Sequence, residues 1–231
     1  MKKTIQRVLA AVILFAMILS GGFSEVGKVH AEKQQGTTKR AIYVVFDNSG
    51  SMYGDGNKAW SQATYAMEVF AAMMNYESGD VMKVFPMHDI TTDGNTGSAT
   101  KSSMEIRGKD DIAQIHNMYT PKPGGTPYTQ VNNAAGELTK LLNAGSVDEG
   151  WLVVLTDGDF DNDIPASGLK ADLEGKAAAN ENLYVQYLAI GTDVKNIPEG
   201  NADKGLYAQK AGNTSEAVSY THLTLPTICS V

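Results

Sequence analysis

Asp47, Ser49 and Ser51 alternate in the run DNSGS, and Asp157 closes the run WLVVLTD more than a hundred residues later. Carboxylates and hydroxyls are the oxygen donors that hard divalent cations take. The same residue types also cap helices and satisfy turns, because a serine or aspartate oxygen accepts a nearby backbone N–H. The residues that precede each group separate these uses. Asp47 follows AIYVVF and Asp157 follows WLVVLT, two apolar runs without alternation. Such runs mark strands buried on both faces of a parallel sheet.

Further runs of this kind cover residues 81–87 and 183–190. Between them apolar residues recur at helical steps. Trp60, Ala63, Met67, Phe70 and Met74 form one stripe, and Val131, Ala135, Leu138 and Leu142 another. Strands alternating with amphipathic helices predict an α/β fold, a doubly wound and mostly parallel central sheet flanked by helices. Residues 103–107 are short and alternate, so they predict an edge strand, antiparallel to its neighbour. A helix is expected over 110–118, a Pro- and Gly-rich loop over 121–127, and a last strand over 205–209. Ligands of open α/β sheets bind beyond the carboxyl ends of the strands. Asp47 and Asp157 are therefore expected on one edge of the sheet, with Ser49 and Ser51 in the turn after the first.

The 231 residues suffice for one domain with a core, and 42% of them are hydrophobic. Lys2, Lys3 and Arg7 precede an apolar stretch over 8–19, and Val-His-Ala follows at 29–31, the order of a secretory signal cleaved near Ala31. Twelve apolar residues fall short of the ~20 that a membrane span requires. The expected division is a signal over 1–31, a linker over 32–40 and a domain over 41–217, with export to the medium or the cell surface. Contact with a membrane is then expected only through an uncleaved signal or a C-terminal anchor. Residues 218–231, beginning VSYTHLTLPT, resemble a translated sequencing adapter, so the natural chain is expected to continue differently after Ala217. The single cysteine, Cys229, lies in that tail. The chain has 19 basic and 26 acidic residues; without signal and tail, 15 stand against 25, a net charge of −10. That sign argues against nucleic acid as a partner and for a cation.

DNSGS, then GGTP with Thr126, then LTDGD, each at a strand end or in a loop and in this order, resemble the metal-ion-dependent adhesion site of von Willebrand factor type A domains. The resemblance covers residues 38–217. It implies that Asp47, Ser49, Ser51, Thr126 and Asp157 hold a divalent ion, Mg2+ or Mn2+, with Ca2+ as the other candidate. Magnesium chemistry agrees, since neutral hydroxyls leave the ion positive charge and an open position. The resemblance further implies a binding module whose protein ligand presents an Asp or Glu carboxylate to that position. A metal-dependent assembly or targeting module of a larger enzyme or surface complex is the alternative. Tyr53, Tyr128 and Asp159 are placed on the rim of the site.

Asp157, Asp159, Asp161 and Asp163 mimic a calcium loop, but Asn162 stands where that loop needs glycine and Gly168 where it needs an acid. A solvated acidic rim is expected instead. His88 and His116 have no ligand spacing and no nucleophile elbow exists, so no catalytic residues are assigned and the chain is not read as an enzyme. Met67, Met73, Met74, Met82 and Met87 are expected to fill the core.

Overall fold

A computed structural model describes residues 38–88, 103–118, 126–157, 160, 164, 166–190 and 197–211. Six strands form one sheet: β1 (Arg40–Phe46), β2 (Val81–Pro86), β3 (Met104–Ile106), β4 (Glu149–Thr156), β5 (Leu183–Ile190) and β6 (Leu206–Ala211). Their order across the sheet is β3-β2-β1-β4-β5-β6. All neighbours pair in parallel except β3, which runs antiparallel to β2 at the edge. The mixed α/β sheet with one antiparallel edge strand is thus the architecture expected from the apolar runs.

Four α-helices accompany the described sheet: α1 (Gly54–Met73), α2 (Lys109–Ile112), α3 (Thr129–Asn143) and α4 (Ala166–Ala178). Because successive strand side chains point to opposite faces, β1 serves two cores. Ile42, Val44 and Phe46 pack with Trp60, Met67 and Phe70 of α1 on one face. Ala41, Tyr43 and Val45 pack with Val131 and Leu138 of α3 and with Leu169 and Leu173 of α4 on the other. A strand between two such layers has no exposed face, so it reads as unbroken apolar sequence. Burying each large side chain there contributes about 1.5–3 kcal/mol.

Where the chain must turn sharply after α3, Gly145 adopts φ +64, and its N–H donates to the carbonyl of Leu142. At the start of β4, a Cβ on Gly150 would meet Leu142 at 3.0 Å, which lets α3 lie close against the sheet.

Two details depart from the sequence reading. The helix expected over 110–118 is α only to Ile112 and continues as a 3-10 segment (Ala113–Met118). Met73 does not join the core: it lies on the outward side of α1, 39% exposed, while Met67, Met74, Met82 and Met87 are buried. Residue 73 follows the buried Phe70 by three, but the helix ends there and Met74 takes the inward place. No described helix is long and apolar enough to cross a membrane.

Candidate functional site

The register of the central strands builds the site. Phe46 stands opposite Pro86 of β2 on one side and Leu155 of β4 on the other. The next residue of β1 therefore emerges beside the tip of β4. The Asp47 N–H donates to the Leu155 carbonyl at 2.7 Å, which extends the ladder by one rung and fixes the direction of the side chain.

Asp47 is fully buried, and both of its carboxylate oxygens are engaged. Oδ1 accepts the Ser49 N–H at 2.8 Å, closing a tight turn. Oδ2 accepts the Thr156 hydroxyl at 2.6 Å. A buried carboxylate persists as an ion only when such donors compensate its lost hydration. Asp47 thus ties the turn after β1 to the end of β4.

From that anchor a chain of side chains runs outward. Ser49 Oγ lies 3.0 Å from Ser51 Oγ. The Ser51 hydroxyl donates to Asp157 Oδ1 at 2.9 Å. Ser49 is buried, Ser51 is exposed and Asp157 is half-buried, so the chain leaves the interior and reaches the surface at Ser51. Ser49 occupies the N-cap position of the 3-10 segment Gly50–Tyr53, yet its side chain makes no capping hydrogen bond. The hydroxyls are not consumed by a helix end, which removes the capping explanation that their residue types alone allow.

Of the five residues expected at the site, hydrogen bonds join Asp47, Ser49, Ser51 and Asp157. Thr126 is buried three residues before α3, and its hydroxyl takes no part in that chain among the described residues. Tyr53 packs its ring against Trp60, with centroids 5.4 Å apart. Tyr128 is buried, and its hydroxyl donates to Asp172 of α4 at 2.6 Å. Burial first, then the bond to Asp172 and the charge of that carboxylate, push the Tyr128 phenol well above the usual tyrosine range. Asp159, Asp161 and Asp163 lie outside the described residues.

Two contributors were missed in the sequence. Thr156 is fully buried and orients Asp47, but as the last residue of an apolar strand it reads as a sheet former. Asn48, also fully buried, accepts the His88 N–H through Oδ1 at 2.8 Å and so fastens the turn to the end of β2. Its position between Asp47 and Ser49 was the only signal available.

The donor set can be tested against a cation by its oxygen spacing. Ligands at adjacent corners of a magnesium octahedron with bonds of 2.0–2.1 Å are separated by about 2.9 Å. The separations of 3.0 Å for Ser49–Ser51 and 2.9 Å for Ser51–Asp157 are ordinary hydrogen-bond lengths, and because they also equal that edge an ion could replace the bonds with little movement of the oxygens. Two hydroxyls and one carboxylate also form a set that magnesium and manganese accept. The residues present fit such an ion. No protein-family model and no curated protein matches this chain.

Proposed function

We propose that the chain is a von Willebrand factor type A domain, secreted or displayed at the cell surface, whose sheet edge binds a divalent cation and through it a protein ligand. The observation that carries the reading is the Ser49–Ser51–Asp157 chain, which brings two hydroxyls and a carboxylate together beside the tips of β1 and β4, Ser49 having no capping bond. When bound, magnesium or manganese would supply a positive charge with an open coordination position, suited to an Asp or Glu carboxylate of the partner.

The residues divide the work by burial. Asp47 holds Ser49 through its backbone and Thr156 through its hydroxyl, so it orients the turn and adds negative charge beneath the site. Ser49 and Ser51 present neutral oxygens. Asp157 contributes the outer carboxylate, and Thr126 is assigned to the same set on the motif. Keeping the carboxylates to two preserves attraction for an anionic partner, since each further carboxylate would cancel charge that the partner's oxygen needs.

Calorimetric titration of the full chain with Mg2+ and Mn2+ tests the reading. Saturable binding is expected, lost in Asp47→Ala and Asp157→Ala, with circular dichroism reporting the fold of each variant. A folded wild type that takes up neither ion would overturn it.

A further inference from the structure

Resting on that reading of the site, we propose that Tyr128, Asp172 and Lys176 form a strut that positions Thr126 and Asp157. Two donors converge on a single carboxylate oxygen. The Tyr128 hydroxyl donates to Asp172 Oδ2 at 2.6 Å, and the Lys176 ammonium donates to the same oxygen at 2.6 Å. The ammonium also stands 5.3 Å from the centre of the Tyr128 ring. Asp172 and Lys176 are one turn apart on α4. A closed triangle of this kind leaves the tyrosine little freedom, because tilting the ring breaks the hydrogen bond and the cation–π contact together.

Tyr128 joins two segments of the site. Its backbone opens α3, the carbonyl accepting the Val131 N–H at 3.0 Å, and Thr126 lies two residues earlier. Its ring receives Phe160 edge-on, with centroids 4.8 Å apart and planes at 90°. Phe160 follows Asp157 by three residues and also touches Tyr187 of β5, at 6.4 Å. The tyrosine thus lies two residues after Thr126 in the chain and packs its ring on Phe160, three residues after Asp157, while α4 holds that ring through its hydroxyl. Simple burial does not call for this arrangement. A phenylalanine would fill the same space, whereas the hydroxyl fixes where the ring sits relative to α4. Tyr128, Asp172 and Lys176 are positioning residues that act through Thr126 and Asp157.

The test compares the full-length wild type with Tyr128→Phe, Asp172→Ala, their double variant and Glu137→Gln. The last breaks the Lys83–Glu137 ion pair elsewhere on α3 and serves as a stability control. Mn2+ dissociation constants are measured by calorimetry well below the melting temperatures, which are determined separately in chelator. Each strut variant is expected to bind Mn2+ roughly tenfold more weakly, the size usual for groups that orient ligands. The double variant should bind like Asp172→Ala alone, because Asp172→Ala already removes the Tyr128–Asp172 bond. Glu137→Gln should bind like wild type. Unchanged dissociation constants in strut variants whose melting temperatures alone fall would reduce the triangle to packing and overturn the proposal. A wild type that binds no Mn2+ would overturn both the strut and the cation site beneath it.

Discussion

The two ends of the sheet both carry aspartates, and they use them differently. At the amino end, acids precede strands. Asp80, before β2, accepts the backbone N–H groups of Arg40 and Asn75 at 2.9 and 3.0 Å, one on each oxygen. Asp148, before β4, accepts the Lys39 N–H at 2.9 Å. At the carboxyl end, acids follow strands. Asp47 is saturated like Asp80, but one of its donors is a side-chain hydroxyl, and beyond it the chain of Ser49, Ser51 and Asp157 reaches solvent. An aspartate held only by backbone amides completes secondary structure. An aspartate at the base of a row of hydroxyls, with a second, half-buried carboxylate at its far end, has the oxygen donors that a cation site would need.

The comparison breaks most visibly at Asp47. Asp47→Ala removes the acceptor of two buried donors and is expected to cost about 3–5 kcal/mol in denaturant unfolding, with cation binding abolished. Asp80→Ala should come next, costing about 2–4 kcal/mol because two backbone amides lose their charged acceptor. Its cation affinity should equal that of wild type, and a parallel loss of affinity would erase the distinction between the two ends. Ser51→Ala reverses the pattern. The residue is exposed, so stability should change by no more than about 0.5 kcal/mol, while Mn2+ affinity falls at least about tenfold through the missing ligand.

The smallest effect is confined to alkaline pH. Burial chiefly, then the charges of Asp111 and Asp80, raise the Tyr76 phenol to about 12. Burial, then Glu137 and Glu105, do the same for Tyr43. A phenol whose folded value exceeds the unfolded one near 10 contributes stability that is complete below pH 10 and disappears as pH rises towards 12. Absorbance at 295 nm should show these two tyrosines ionising late, and Asp80→Asn should advance Tyr76 slightly. An equal advance of Tyr43 would contradict the assignment of the second effect to Asp80.

Much of this is legible in the amino-acid sequence. The runs ending in Asp47 and Asp157 are apolar on both faces, and that alone identifies interior parallel strands whose tips share an edge. Helix α4 was not singled out. Its buried residues Leu169, Leu173 and Ala177 recur at four-residue steps but are separated by glycine, alanine and charge, so the stripe is thin. Asn48 and Thr156 could not be recognised because their roles depend on register between strands 40 and 109 residues apart. Tyr128 was placed on the rim by its nearness to Thr126 in sequence. Its ring instead turns to α4, a direction set by the packing of two helices against one sheet face.

The central claim is that the carboxyl-end row is a cation site and the amino-end aspartates are structural. Its most direct test is a crossed measurement on two variants of the full chain, Ser51→Ala and Asp80→Ala, each melted in chelator and titrated with Mn2+. The account predicts that Ser51→Ala melts like wild type and loses affinity, while Asp80→Ala melts earlier and keeps it. Ser51→Ala binding Mn2+ as tightly as wild type would contradict the account.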